Sequence, residues 1–177
     1  FCYDNEAFSN TGFQMSSATP FGSKTSTSFP GKSNPGGTIQ RKKDLFEIWR
    51  SHKPPYIATI SPSHPIDLSN KFEKASGIKG PKLFITFSPC PPGWSFDSSK
   101  SVEIAKLAVQ TGLWPLKEAV DGIVEHTVVP KFKPVEEYLK IQNRYDHLFD
   151  PVKQIDVVNI IQKDIDDYWK RYSDNGQ

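Results

Sequence analysis

Cysteine is nearly absent: Cys2 and Cys90, 88 positions apart, are the only two in 177 residues. That excludes the disulfide framework of a small secreted domain and fits a reduced, cytoplasmic protein. An excess of one charge is missing too. Net charge is +2 from 22 basic and 20 acidic side chains, which gives no support to general nucleic-acid binding. The densest basic run, Arg41-Lys42-Lys43, is expected to be one solvated helix face, with docking of an acidic protein partner as the sharper alternative. No run nears the roughly 18 apolar residues that would span a bilayer. No basic-then-apolar leader stands at the amino end, and no internal period is visible. His52, His64, His126 and His147 lack metal spacing such as His-x-x-x-His. His64 alone falls near an expected cleft, and it reads first as a loop residue.

What is present suits one soluble domain with a real core: 36% hydrophobic, 24% charged, and 15 prolines gathered in loops. Phe1 to Tyr3 reads as the end of an apolar strand, with Cys2 inside the core. Residues 12–37 have neither helical nor strand periodicity and are rich in Ser, Thr, Gly and Pro, as in a linker or a long ordered loop. Phe13, Phe21 and Phe29 argue for order. "TIQRKKDLFEIWRSH" predicts a helix over 38–52, capped by Thr38, with Ile39, Leu45, Phe46 and Trp49 as its apolar stripe.

"YIATISP" reads as a strand, "SHPIDLSNKFEKASG" as a helix with Pro65 in its first turn and Gly77 as its stop. "KLFITFSP" is apolar enough for a strand buried on both faces. "SKSVEIAKLAVQTG" follows a Pro-rich turn and is an amphipathic helix. "LKEAVDG" and "IVEHTVV" predict a hairpin turning at Asp121-Gly122. A helix is expected from Pro134 through Phe149, then another carrying Val158, Ile161, Ile165, Tyr168 and Tyr172 on one face. The alternation implies an α/β fold, its mostly parallel sheet flanked by helices with right-handed crossovers. The hairpin and last helices are expected to follow as a carboxyl-terminal part.

Two stretches could carry chemistry. In "YDNEAFSNTG" a polar turn follows the first strand, at the sheet edge where open α/β folds bind ligands. An Asn side chain and the carbonyl two residues later can reach one magnesium ion from a single tight turn. By itself an Asn at a strand end is usually a plain turn former. In "FITFSPCPPGW" three prolines fix the backbone around Cys90 at another strand end. A lone cysteine is usually a small buried hydrophobe, whereas a thiolate held there could ligate iron.

Together, "YDNEAFSNTGFQMSSATPFGSKTSTSFPGK", "YIATISPSHP" and "FITFSPCPPGW" resemble the beta subunit of pyruvate synthase, a pyruvate:ferredoxin oxidoreductase that binds thiamine diphosphate. The resemblance runs from Phe1 to about Asp150. It implies residues 1–150 as the carboxyl-terminal part of a thiamine diphosphate-binding domain, and 151–177 as a helical extension. By matching positions, Asn5 would give its side-chain oxygen to Mg2+ and Ala7 its main-chain carbonyl. Asn10 would lie beside the cofactor's reacting carbon, binding the substrate oxygen as charge develops. Cys90 would be one ligand of a 4Fe-4S cluster.

The family's Gly-Asp-Gly motif and other cluster cysteines are not in the chain, and its activating glutamate comes from another subunit. The expectation is therefore a chain that holds parts of two sites and the whole of neither. The resemblance implies oxidative decarboxylation of pyruvate to acetyl-CoA, with electrons passing through the cluster to ferredoxin. It also implies alpha, gamma and delta-type subunits and the amino-terminal half of the beta subunit as partners, coenzyme A as acyl acceptor, and no nucleic acid or membrane. A 2-oxoglutarate, branched-chain or oxalate oxidoreductase keeps the class and changes the substrate. An inactive remnant serving as a structural module is the alternative outside enzymology.

Overall fold

A computed structural model describes residues 1–174. Its element order is β1 (Cys2–Asp4), α1 (Leu45–Arg50), β2 (Tyr56–Ile60), α2 (Pro65–Ser76), β3 (Lys82–Phe87), α3 (Pro91–Trp94), α4 (Ser101–Gln110), β4 (Leu116–Val120), β5 (Ile123–Val128), α5 (Val135–Lys140) and α6 (Ile155–Asp174). Two 3-10 turns lie at Ser98–Lys100 and Asn143–Leu148. The strands form one open sheet in the order β1-β3-β2-β4-β5, with β1, β3 and β2 parallel and the β4–β5 hairpin antiparallel. The expected α/β class, the parallel beginning and the closing hairpin all hold. No helix among the described residues is long and apolar enough to cross a membrane.

The central strand β2 is buried along its whole length, apolar except for Thr59, whose hydroxyl donates to Pro115 O at 2.6 Å. Its alternating side chains serve two cores. Tyr56, Ala58 and Ile60 meet α2 through Leu68, Phe72 and Ala75, while Ile57 faces the larger core shared by α1, α4, α5 and α6. Val158, Ile161, Ile165 and Trp169 carry α6 onto that larger core, so its apolar face packs on the parent fold. Asp121 and Gly122 both take positive φ, as a two-residue hairpin turn matching strand twist requires.

Three expectations need correction. The helix over 38–52 shrinks to Leu45–Arg50, capped by Asp44, whose Oδ1 accepts from Glu47 N at 3.1 Å. Thr38 is engaged elsewhere: its N–H donates to Ser23 O at 3.0 Å and its hydroxyl pairs with Ser28. Ile39 is consequently exposed. The Arg41-Lys42-Lys43 run is not a helix face, because Lys42 turns inward to the buried carboxylates Asp4 and Glu6. The helix over 134–149 breaks after Lys140 into a 3-10 turn, which points Arg144 into the protein. The 12–37 loop is ordered, with Thr19, Ser23 and Thr25 buried and short bridges at Phe8–Gln14, Thr25–Ser28 and Gly31–Asn34.

Candidate functional site at the carboxyl ends of β1 and β3

Pairing of β1 with β3 sets Asp4 opposite Phe87 and continues with Ser88 N donating to Asp4 O at 3.1 Å. The two motif turns therefore leave the sheet side by side. After β1, Asn5 Oδ1 accepts from Ala7 N at 3.3 Å, closing an Asx turn. After β3, Cys90 stands at the N-cap of α3, a single helical turn begun by Pro91 and Pro92; the sequence suggested only a Pro-rich turn there. At its end Trp94, fully buried, donates its indole N–H to Asn5 O at 3.1 Å. Phe13 adds a second contact, its ring lying over Gly93.

Asn5 is half-buried and Ala7 buried, and among the described residues no donor takes up the Ala7 carbonyl. The donor set on this turn is two neutral hard oxygens, Asn5 Oδ1 and Ala7 O, which is the chemistry magnesium accepts. Asn5 O is already engaged by Trp94 and is not part of that set. Asn10 lies at the exposed tip of the loop closed by the Phe8–Gln14 bridge, its amide without a hydrogen-bond partner among the described residues. Cys90 is a half-buried free thiol. Cys2 is free as well, packed against the core in register with Ile85, and burial raises its thiol pKa. Among the described residues no three His, Cys, Asp or Glu side chains gather as a metal centre. Cys90 is thus at most one ligand of a shared one. His64 stands at the N-cap of α2, outside this site, making no side-chain cap bond.

Behind the Asx turn lies a charge network that sequence reasoning missed. Glu6 is 1% exposed, and its carboxylate meets Lys42 Nζ at 2.7 Å and an Arg144 guanidinium nitrogen at 2.7 Å. Lys42 also bridges to Asp4 at 2.7 Å. Arg144 is held through Nε, which donates to Gln142 Oε1, and Nη2, which donates to the Tyr138 hydroxyl. Its guanidinium carbon lies 3.7 Å from the Trp94 ring centre, while Nη1 is buried without a hydrogen-bond partner among the described residues. Burial alone would raise the Glu6 carboxyl, but Lys42 and Arg144 outweigh it and hold the pKa below the usual range. Asp4 goes the other way, raised by burial and by the charge of Glu6 despite its contact with Lys42. Removing one partner of such a buried pair costs about 3–5 kcal/mol. One clue existed in the sequence, an acidic pair flanking Asn5.

A cavity of about 880 Å³ opens on the far side of this network, between α6 and the sheet, with Asp4, Glu6, Lys42, Trp114, Lys117 and Tyr168 in its wall. Asn5, Ala7, Asn10 and Cys90 do not line it. The chemistry expected of the two motifs belongs to the strand ends, and we place the candidate site there rather than in this cavity.

No family model matches the chain. Among curated proteins it is 49% identical over 151 residues to pyruvate synthase subunit PorB of Methanosarcina barkeri, covering 84% of this chain and 50% of that protein. PorB of Thermotoga maritima is 44% identical over 170 residues, 96% of this chain and 52% of that protein. Ketoisovalerate oxidoreductase subunit VorB of Pyrococcus abyssi is 40% identical over 172 residues, 96% and 53% respectively. The chain spans about half the length of the curated relatives it matches.

Proposed function

The chain belongs with the PorB subunits of pyruvate synthase in one sequence family, and from that premise we propose that it forms part of a 2-oxoacid:ferredoxin oxidoreductase acting on pyruvate. The observation that carries the reading is the β1–β3 pairing, which brings the "DNEA" turn and Cys90 to one sheet edge and ties them through Trp94 and Asn5. In this reading Asn5 Oδ1 and Ala7 O bind the Mg2+ of a thiamine diphosphate, sharing it with residues outside this chain. Bound there, thiamine diphosphate would supply the carbanion that makes decarboxylation of a 2-oxo acid possible.

The chain's own residues hold and orient. Asn10 donates from its amide to the substrate oxygen where negative charge develops, and its exposed place on the 8–14 loop leaves that amide free to do so. Phe13, at the foot of the loop, packs on Gly93 and so anchors the loop to the cysteine turn. Cys90 gives one thiolate to a 4Fe-4S cluster completed by other residues, placing the electron acceptor next to the turn that binds the cofactor. Ferredoxin, coenzyme A and the remaining subunits enter as partners of the assembled enzyme.

A branched-chain substrate is the second reading, favoured by the 40% identity to a ketoisovalerate oxidoreductase subunit. Coenzyme A-dependent ferredoxin reduction by the assembled enzyme separates the two. Pyruvate should exceed ketoisovalerate in kcat/KM by about tenfold or more, the usual value of a few extra methyl groups in a fitted pocket. The reverse ratio would assign the branched-chain substrate, and no reduction with any 2-oxo acid would end the proposal.

A further inference from the structure

Asn5 and Ala7 flank Glu6, whose backbone is in the left-handed region at φ +65° although it is not glycine. L residues with longer side chains rarely adopt that conformation, so surrounding contacts must impose it. Glu6 is held at its backbone and at its carboxylate. Its N–H donates to Asp4 Oδ1 at 3.1 Å and its carbonyl accepts from the Thr19 hydroxyl at 2.7 Å. Its carboxylate is shared between Lys42 and Arg144, and Arg144 is stacked on the same Trp94 whose indole N–H fixes Asn5 O. Glu6 and Asn5 are thus pinned through one buried arginine–tryptophan pair, with nothing on Asn5 Oδ1 except the weak 3.3 Å bond from Ala7 N.

We infer that Glu6 is a positioning residue for a divalent cation: its inward carboxylate, clamped by Lys42 and Arg144, forces the turn that presents Asn5 Oδ1 and Ala7 O. The inference rests on the reading of that turn as a magnesium site. Glu6 is not itself a ligand in this inference, because its carboxylate is taken up by Lys42 and Arg144 inside the protein. A residue that orients metal ligands in this way typically controls affinity by 10–100-fold when changed.

The test is the Mg2+ concentration that gives half-maximal thiamine diphosphate binding, measured by titration calorimetry on the assembled enzyme stripped of cofactor. Glu6→Gln should raise it by about tenfold, with full occupancy recovered in excess Mg2+. Arg144→Lys keeps a cation beside Glu6 but loses the planar fork and the stacking on Trp94. It should shift the same value in the same direction by less, and it decides the matter if Glu6→Gln does not assemble. Lower melting temperature with an unchanged Mg2+ requirement would make Glu6 merely structural and overturn the inference. Asn5→Ala separates this failure from failure of the underlying reading. An unshifted requirement in Asn5→Ala rejects the magnesium site itself, whereas a shift there but not in the Glu6 and Arg144 variants rejects only the role of Glu6.

Discussion

Lowering the pH from 7 to 5 should loosen the hairpin from α6 through one side chain, His126. Its ring on β5 is half-buried, 3.7 Å centre to centre from Tyr172 and 4.8 Å from Trp169, with Nε2 paired to the Tyr168 hydroxyl at 2.7 Å. Burial first, then the charges of Lys117 and Lys71, push its pKa down to about 4 from the ordinary 6.5. A base with a folded-state pKa below its unfolded value costs no stability above pH 6.5. Stability is lost as pH falls from 6.5 towards 4, because only the opened state then takes up the proton. At pH 5 the imbalance is 1.5 units of the unfolded titration, or about 2 kcal/mol. Solvent screening at a half-exposed ring reduces that to about 1 kcal/mol, which is about a fivefold rise in local opening.

Amide hydrogen exchange over Ile123–Val128 reads this directly once corrected for the intrinsic pH dependence of exchange. His126→Phe keeps an aromatic ring against Tyr172 and removes the titration, so its corrected exchange should be flat between pH 7 and 5. The reasoning is refuted if the His126 ring titrates at 6.5 or above by NMR. It is refuted equally if His126→Phe shows the same pH-dependent opening as the parent.

Gly93→Ala should destabilise by about 1–3 kcal/mol through overpacking, because the new methyl would overlap Phe13 Cδ2 and come within 3.2 Å of Cys90 Sγ. Thermal unfolding would show it, and Phe13→Leu in the same chain should recover part of the loss. Asn10→Ala should lower turnover of the assembled enzyme by about a hundredfold, the effect of losing one donor to a developing oxyanion at about 3 kcal/mol. Cofactor affinity should barely change, and unaltered 2-oxo acid oxidation would remove Asn10 from the chemistry.

The parts of the fold that could be read from the sequence are those whose residues answer to local rules. Strands β2 and β3 are mostly apolar because each lies between two neighbouring strands in the sheet, and the Asp121-Gly122 turn supplies the backbone that a tight hairpin demands. Pro65 opens α2 as its fixed φ favours, and Gly77 follows the last helical residue in a right-handed conformation. The failures cluster where distant residues override those rules. Residues 38–43 have good helical composition, yet two buried carboxylates on β1 and its following turn draw Lys42 out of any helix, and the 12–37 loop claims Thr38. Arg144 lies in a segment of helical pattern, but its charge is needed beside Glu6, 138 positions earlier in the chain. The candidate site shows the same division. Asn5, Ala7, Asn10 and Cys90 are proposed from motif and resemblance, while the Glu6, Lys42, Arg144 and Trp94 contacts behind the turn exist only through tertiary packing.

Cys90 tests most directly the proposal that this chain contributes to a cofactor site and an adjoining iron–sulfur site at one sheet edge. In the assembled enzyme, Cys90→Ala should remove up to about four irons per copy of the chain, since clusters of this type depend on each thiolate. Pyruvate-dependent ferredoxin reduction should fall with the iron, while release of carbon dioxide in a single turnover persists. Packing alone predicts otherwise, because loss of a half-buried sulfur leaves the metal untouched and has only a small effect on stability. Loss of iron and of electron delivery is the outcome expected. Full iron content with normal ferredoxin reduction in Cys90→Ala would contradict the account.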